Sequence, residues 1–314
     1  MNLKKMWNKW REPKPYHQGY LPTADGHEVW FAEYGNPNGK PVLMTHGGPG
    51  GSAKPAHALP FNRKRYRVIM FDQRGCGFSK PTGKLQHNTT ADILFDMERL
   101  LEYLNIKEKV ILCGASWAST LMLLFAEKYP QKVEKLILSQ IFLADETNEK
   151  WEHEQCALFY PDMLEQLRKP LKKWQTIPEY YFKALMSDNI QQQKKALETY
   201  GMFERVLGAL SPHWGHIVEI DDRYLYNTQI YAQYAAAHYY LKNNEIMRGV
   251  AKIKYIPTLI VHNRLDMVCP LKGAYELAKQ IKNCKLVIVP EKGHIGKLLY
   301  KTIAREIKQY LAEN

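Results

Sequence analysis

A serine stands at a candidate strand-to-helix turn in the segment GASWA, residues 114–118. The strand-forming run KVIL precedes this segment, and the helix-forming run TLMLLFAEKY follows it. The pattern G-x-S-x-G places a serine at such a turn with its hydroxyl exposed above a sheet, where it can act as a nucleophile. Here Ala118 replaces the last glycine, an increase of one methyl group that the turn can accommodate. A serine that only caps the helix is the alternative interpretation, so Ser116 needs partners elsewhere in the chain.

Two further residues follow predicted strands in the order that a nucleophilic serine requires. Asp266 comes after the run YIPTLIVHN, and His294 comes after the run CKLVIVP. Alone, each is more commonly an ordinary loop residue, but Ser, Asp and His in this order, each beyond a strand, predict a catalytic triad. In that triad Ser116 forms an acyl-enzyme, His294 transfers protons and Asp266 orients the imidazole.

The glycine-rich segment HGGPGG, residues 46–51, follows another strand-like run. Its glycines allow close backbone approach, and we expect the backbone N–H groups of Gly48 and Trp117 to stabilise an oxyanion. Phosphate binding is the competing interpretation of such a loop. It is disfavoured because the segment lacks the G-K-[ST] of a P-loop and the third glycine and distal acid of a dinucleotide fingerprint.

The surrounding elements alternate between strands and helices, which predicts an α/β fold with a mostly parallel sheet and helices on both faces. The strand signals are continuous rather than alternating apolar runs, as expected for strands buried on both faces. These runs are PVLMTHG (41–47), YRVIMFD (66–72), KVILCG (109–114), VEKLILSQ (133–140), YIPTLIVHN (255–263) and CKLVIVP (284–290). Between them, TADILFDMERLLEYLN repeats apolar residues at helical spacing, and Thr89 or Thr90 can cap that helix.

Residues 142–250 break this pattern, because strand signals vanish and aromatic and charged residues become dense. We expect residues 1–141 and 251–314 to form one core and residues 142–250, called the cap segment below, to form a helical cap. The cap segment should emerge at the carboxyl ends of the strands, where ligands bind in open α/β sheets.

The composition indicates an ordinary globular protein with a basic surface. The 314 residues carry a net charge of +12, but the basic residues are spread along the chain and no nucleic-acid-binding motif appears. The segment MNLKKMWNKW at the start could touch an anionic membrane, an interpretation that we rank below a solvated surface. It lacks the apolar region of a secretory signal, and the five scattered cysteines predict a reducing, cytoplasmic location. No carboxylate or cysteine completes a metal site with His213 and His216, so ordinary histidines of the cap are the better interpretation. The triad mechanism needs neither a metal nor an organic cofactor, and we expect none.

Together these motifs resemble the proline iminopeptidase (prolyl aminopeptidase) family of α/β-hydrolases along nearly the whole chain. The resemblance is carried by HGGPGG, by DQRGCGFS (72–79), by the tryptophan after Ser116, by RLDMVCP (264–270) and by the Gly-His pair that ends at His294. It implies an α/β-hydrolase fold and a serine aminopeptidase that releases N-terminal proline, or another small residue, from a peptide with a free N-terminus. It implies no cofactor, nucleic acid or stable membrane association.

The resemblance also implies glutamates in the cap that bind the substrate's α-amine. The best match to one family segment is YGMFE, which makes Glu204 the first candidate. A second family glutamate would fall at Ala236, so that carboxylate is absent, and Glu152 in KWEHEQ is a rival for the role. A carboxylate is needed because a buried, unpaired ammonium is costly.

Two alternatives stay open at this stage. The missing carboxylate at position 236 is compatible with an esterase or amidase acting on other small substrates. The alanines at 115 and 118 allow a noncatalytic binding protein on the same scaffold, although an intact set of Ser116, Asp266 and His294 argues against it.

Overall fold

A computed structural model describes residues 12–210 and 221–313. Its eight strands form one sheet in the order β1-β2-β4-β3-β5-β6-β7-β8. The strands are β1 (His17–Pro22), β2 (Glu28–Gly35), β3 (Lys40–Thr45), β4 (Tyr66–Phe71), β5 (Val110–Ala115), β6 (Val133–Ser139), β7 (Thr258–Leu265) and β8 (Cys284–Lys292). All six predicted strands are present, which confirms the α/β class.

The six strands from β4 to β8 in the sheet order pair in parallel, and β2 is the one strand of the sheet in the described residues that runs in the opposite direction. β1 pairs antiparallel with β2, and β2 pairs antiparallel with β4. Because the parallel strands share one direction, the loops after β3, β4, β5, β7 and β8 all emerge at the same edge of the sheet. The HGGPGG segment, Ser116, Asp266 and His294 all lie in those loops or at their start.

Helices cover the sheet and fill the cap segment. In the described residues they are α1 (Thr90–Tyr103), α2 (Trp117–Lys128), α3 (Glu146–His153), α4 (Pro161–Arg168), α5 (Ile177–Leu185), α6 (Ile190–Ala209), α7 (Asp222–Ala236), α8 (Glu245–Gly249), α9 (Leu271–Gln280) and α10 (Lys297–Glu313). Among these described helices, none combines the length and the apolarity needed to cross a membrane.

The first of these helices shows how local sequence sets an element. α1 begins with a capping box in which the Thr89 side chain accepts from the backbone of Asp92, whose carboxylate accepts from the backbone of Thr89. The apolar positions Ile93, Met97 and Leu100 are buried against the sheet. The predicted amphipathic stripe is therefore the face that packs on the core.

Three apolar clusters organise the structure. One lies on each face of the sheet, and the third belongs to the cap segment and includes Tyr200, Phe203 and Tyr231. No strand occurs among the described residues of the cap segment. These observations support the proposal that residues 142–250 form a helical cap on the core made by residues 1–141 and 251–314. Tyr234, Tyr239 and Ile246 of this segment belong to the first core cluster, so its last part packs directly with the core.

The cap rests directly on the loops at the carboxyl edge of the sheet. A Cβ atom at Gly50 would lie 2.4 Å from the carbonyl oxygen of Asn227 in α7, so only glycine allows this contact. A Cβ atom at Gly83 would meet the ring of Tyr226 at 2.7 Å. The cap segment therefore packs closely on the HGGPGG segment at Gly50, through the backbone of Asn227, and on Gly83 through the ring of Tyr226. The segment MNLKKMWNKW and the pair His213 and His216 lie outside the described residues.

Candidate active site

Ser116 occupies the sharp bend between β5 and α2. Its φ of 56° lies in the left-handed region that non-glycine residues rarely adopt. A Cβ atom at Gly114 would meet the carbonyl oxygen of Ala118 at 2.6 Å, which explains the glycine on the strand side. On the helix side, the methyl group of Ala118 is buried without breaking the turn. Backbone strain held by such packing is typical of functional sites.

Asp266 and His294 meet at the same edge of the sheet. The Nδ1 atom of His294 lies 2.8 Å from Oδ2 of Asp266, whose other oxygen accepts from the backbone N–H groups of Val268 and Cys269. Burial opposes ionisation of Asp266, but the ring of His294 and these hydrogen bonds outweigh it and hold the pKa of Asp266 below its ordinary value. The geometry therefore suits an ionised carboxylate that orients a histidine.

The loop that carries His294 is fixed from three directions. The Gln140 side chain donates to the carbonyl of His294, and Asn263 donates to the carbonyl of Gly293. The backbone N–H of His294 donates to the carbonyl of Gly208, in the last turn of α6, at 2.8 Å. The catalytic histidine candidate is thus tied both to the core and to the cap.

Ser116 and His294 lie beside a common neighbour, Cys269. Polar atoms of Asp266, Cys269 and His294 all fall within 4.8 Å of one another, and the Cys269 thiol lies beside the hydroxyl of Ser116. Among the described residues no hydrogen bond joins Ser116 directly to His294. With Nδ1 held by Asp266, Nε2 remains as the atom that can accept the serine proton. Catalytic hydrogen bonds are often long without substrate and tighten in the Michaelis complex.

The HGGPGG loop lies against the nucleophile. A Cβ atom at Gly47 would lie 3.2 Å from Cβ and 3.7 Å from Oγ of Ser116, and Gly48 has a φ of +119°. In the parts of the chain that the structure describes, the N–H of Gly48 makes no hydrogen bond to protein. Trp117 is the first residue of α2, where an N–H has no partner within the helix. Trp117 follows Ser116 directly in the chain, and Gly48 follows Gly47, which lies against Ser116. Both predicted oxyanion donors are therefore close to the candidate nucleophile.

Sequence reasoning missed Gln73, which joins the two sides of this oxyanion site. The indole Nε1 of Trp117 donates to Oε1 of Gln73 at 3.0 Å, and Nε2 of Gln73 donates to the carbonyl of His46 at 2.7 Å. The backbone N–H of Gln73 also donates to Nε2 of His46. The available signal was the motif DQRGCGFS after β4, since that loop opens at the same edge as the triad.

His262 is a second residue that sequence reasoning missed. Its Nδ1 accepts from the backbone of Ile141 at 3.0 Å, so Nε2 carries the proton and donates to the carbonyl of Cys269 at 2.8 Å. The same Nε2 lies 3.9 Å from Oδ2 of Asp266. Burial lowers the pKa of His262, which favours this neutral tautomer. The ring therefore links the end of β6 to the loop that carries Asp266.

The two cap glutamates named from the sequence face one aromatic cluster. Glu152 in α3 is buried, and its carboxylate accepts a hydrogen bond from the hydroxyl of Tyr231. Glu204 in α6 keeps partial contact with solvent, yet its carboxyl is surrounded by protein. Burial first, and then the charge of Glu152, raise the pKa of Glu204 to about 8. The effect of Glu152 on the pKa of Glu204 indicates that the two carboxyl groups lie close together, while Ala236 supplies none.

Comparison with known proteins agrees with this architecture. The sequence profile described as the alpha/beta hydrolase fold matches residues 40–299. A proline iminopeptidase from Arabidopsis thaliana is 34% identical over 90% of this chain and 76% of its own length. One from Neisseria meningitidis serogroup B is 32% identical over 90% of this chain and 91% of its own.

Solved structures support the fold alone, because their sequences are less than a fifth identical. A hydrolase from Pseudomonas aeruginosa aligns with a TM-score of 0.62 at 17% identity, covering 95% of this chain and 99% of its own. An esterase from Exiguobacterium antarcticum aligns with a TM-score of 0.58 at 18% identity, covering 94% of this chain and 98% of its own. From its sequence profile and its relatives, the chain belongs to the α/β hydrolase fold and, within it, to the proline iminopeptidase family.

Proposed function

We propose that this protein is a serine aminopeptidase that releases an N-terminal proline, or another small residue, from short peptides. Ser116 is the nucleophile, His294 the general base and acid, and Asp266 the residue that orients the imidazole. Gly48 and Trp117 supply the oxyanion donors, and Glu204 and Glu152 bind the free α-amine of the substrate. Relatives named proline iminopeptidase over about nine tenths of the chain support this reaction class. We place the activity in the cytoplasm, with no nucleic acid or membrane as partner.

One observation carries the proposal: each glutamate-bearing helix of the cap is hydrogen-bonded to a loop of the triad. α3 carries Glu152, and the indole of its neighbour Trp151 donates to the carbonyl of Met267, next to Asp266, at 2.7 Å. α6 carries Glu204, and Gly208, one turn later, accepts from the backbone of His294. These hydrogen bonds tie the helices that carry the proposed amine-binding carboxylates to the loops of Asp266 and His294, and recognition of an N-terminal residue requires such fixed positions.

The reaction follows from the positions of these groups. The hydroxyl of Ser116 attacks the carbonyl carbon of the first residue while its proton passes to Nε2 of His294. The resulting oxyanion is stabilised by backbone N–H groups, of which one typically contributes ~10²–10³ in rate. His294 then gives the proton to the leaving amine, and water hydrolyses the acyl-enzyme by the same path. Ionised Asp266 stabilises the transient imidazolium.

The acidic pair explains why a free N-terminus is selected. An α-ammonium that enters the cap must lose water, and only a carboxylate offsets that cost. The carboxyl groups of Glu152 and Glu204 provide acceptors for such a cation. The hydroxyl of Tyr231 donates to Glu152 and holds its carboxylate in place. Glu152, on α3, takes the role of the second carboxylate that position 236 at the end of α7 does not provide. A blocked amine would leave both acids without a charged partner.

An esterase or amidase is the second candidate, because Ala236 removes a carboxylate that the family resemblance implies. A direct test compares prolyl amide with the same amide acetylated on nitrogen, using purified protein and variants Glu204→Gln and Glu152→Gln. We expect kcat/KM for the free substrate to exceed that for the blocked one by ~10²-fold or more, the order expected when a buried polar group is left unpaired. Equal rates on the two substrates would reject the aminopeptidase and favour the esterase or amidase. The exposed α6 residue Glu198 provides the matched control, Glu198→Gln.

A further inference from the structure

The thiol of Cys269 stands among the groups of the proposed triad without a role in the reaction. Its side chain is fully buried, and its sulfur lies with a carboxylate oxygen of Asp266 and a ring nitrogen of His294 inside a 4.8 Å cluster. No other cluster of three His, Cys, Asp or Glu side chains with this geometry occurs in residues 12–210 and 221–313. One thiol, one imidazole and one carboxylate form a ligand set that suits zinc.

We propose that Asp266, Cys269 and His294 bind a zinc ion that inhibits the enzyme reversibly. The ion is an inhibitor and not a cofactor, because it takes the same atoms that the triad uses. The inhibition rests on the proposed function, because it requires an active aminopeptidase. The zinc binding itself does not depend on that function, since it needs no substrate.

The geometry requires little movement. Zinc bonds of about 2.0–2.3 Å place two ligand atoms of a tetrahedral site ~3.2–3.8 Å apart. Oδ2 of Asp266 and Nδ1 of His294 are 2.8 Å apart, so they must separate by less than ~1 Å. The ion lies off the line between them, on the side of the Cys269 sulfur. Ser116, which contacts that sulfur, or a water molecule completes the fourth position.

The protons balance, and their new positions explain the inhibition. Zinc forms bonds to the carboxylate oxygen, to Nδ1 and to the sulfur, and the thiol proton is released to solvent. The proton that Nδ1 shared with Asp266 is displaced, so the neutral ring carries its proton on Nε2 instead. An Nε2–H cannot accept the proton of Ser116, and the carboxylate no longer contacts the ring through a hydrogen bond. The nucleophile therefore loses its base.

The ion reaches the cluster from the exposed side of His294. The side chain of His294 is 12% exposed, whereas that of Asp266 is fully buried. The zinc ion therefore first contacts the imidazole of His294 and then reaches the buried sulfur of Cys269. We expect zinc and catalysis to exclude each other, because both use the imidazole of His294 and the carboxylate of Asp266.

The test combines zinc inhibition with cobalt spectroscopy on the wild type and on Cys269→Ser, Cys269→Ala and Ser116→Ala. Cys284→Ser is the matched control, because Cys284 is partly exposed at the start of β8, outside the cluster. Relative to each variant's own zinc-free rate, half-inhibition should need at least about tenfold more zinc in both Cys269 variants and should not change in Cys284→Ser. A chelator should restore the wild-type rate.

Cobalt(II) provides a readout that does not depend on activity. We expect a near-ultraviolet thiolate-to-cobalt charge-transfer band in the wild type and in inactive Ser116→Ala, and its loss in Cys269→Ala. If the wild type shows the band but has no aminopeptidase activity, the proposed function fails and the metal site stands. The metal site would be overturned if the wild type and the Cys269 variants were equally sensitive to zinc, or if the wild type showed no cobalt band. Either result would leave the aminopeptidase proposal intact.

Discussion

Trp117 and Gln73 are joined by a hydrogen bond of 3.0 Å from the indole nitrogen to the amide oxygen. The amide nitrogen of the same glutamine donates to the carbonyl of His46, at the start of the HGGPGG loop. One side chain on β4's loop therefore sets the separation between the two backbone segments that carry the proposed oxyanion donors. Preorganised donors of this kind act only when both are correctly spaced.

The first prediction concerns Gln73→Leu, which keeps the volume of the side chain and removes both hydrogen bonds. We expect kcat to fall by ~10–10²-fold with little change in KM, because the donors are misplaced for the transition state while substrate binding is intact. Steady-state kinetics on a free prolyl amide measure this split. Gln191→Leu on the exposed face of α6 is the matched control and should behave as the wild type. A change confined to KM would show that Gln73 acts on binding instead.

The second prediction concerns Asp266→Asn. The asparagine keeps the shape of the side chain but cannot stabilise the imidazolium and favours the wrong tautomer of His294. We expect kcat to fall by ~10³–10⁴-fold with KM nearly unchanged, whereas Asp162→Asn on the exposed surface of α4 should have no effect. Substantial activity in Asp266→Asn would mean that another group orients the histidine.

The third prediction concerns the pH dependence of substrate binding. Burial and Glu152 raise the pKa of Glu204 to about 8, so below that pH the free enzyme must release a proton from Glu204 before the carboxylate can pair with an ammonium. KM for a free aminoacyl amide should therefore fall as the pH rises toward about 8. It should rise again when the substrate amine, with an ordinary pKa of about 7.7–8.0, loses its own proton.

The variant Glu204→Gln isolates this effect. It should raise KM and remove the acid-side dependence of KM on pH, while the dependence of kcat that arises from the triad remains. A pH series of KM values for the wild type and for Glu204→Gln makes the comparison, with the exposed Glu198→Gln as control. An acid limb of KM that is identical in the wild type and in Glu204→Gln would assign the binding of the amine to another group.

The fourth prediction concerns Glu127, which lies near the end of α2, at the opposite end of that helix from Ser116. Its carboxyl is buried against Gly249, one oxygen has no hydrogen-bond partner in the described residues, and burial raises its pKa from 4.5 to about 8. Between these two values the native state keeps a proton that the unfolded state has lost. The free energy of unfolding should therefore fall as the pH rises through this window, by at most ~1.4 kcal/mol per pH unit.

Urea unfolding of the wild type and Glu127→Gln, below and above that window, measures this contribution. The variant should gain stability relative to the wild type as the pH rises, because glutamine has no proton to lose. Glu102→Gln, at an exposed position of α1, controls for the loss of a surface charge. Parallel pH dependence in the wild type and Glu127→Gln would show that the buried carboxyl does not titrate as described.

The sequence predicted the elements that are determined by local pattern. Continuous apolar runs located the six core strands, although β7 begins at Thr258 rather than at Tyr255, because Pro257 and the residues before it form a turn. The capping residue Thr89 and the stripe of α1 were also readable. β1 lies outside the predicted strands because it is an edge strand and lacks a continuous apolar run. β2 was also not predicted, because the buried Glu33 interrupts its apolar residues.

The contacts around the candidate site were not readable from local pattern. Gln73 and His262 act through partners far away in the chain. The motif DQRGCGFS marks the neighbourhood of Gln73 but does not show which residues it bonds, and no motif marks His262. The interaction of Glu152 with Glu204 depends on how α3 and α6 pack, which is a tertiary property. The order Ser116, Asp266, His294 was readable because the topology of a parallel sheet converts strand order into shared position.

The most direct measurement of the central claim is the rate of Ser116→Ala on a free prolyl amide, compared with the wild type at saturating substrate. The account predicts that kcat falls by roughly 10⁵–10⁶-fold, since the nucleophile of the acyl-enzyme is gone, while the variant remains folded and still binds the substrate. Turnover by Ser116→Ala at a rate close to that of the wild type would contradict the account, because the peptide bond would then be cleaved without this hydroxyl.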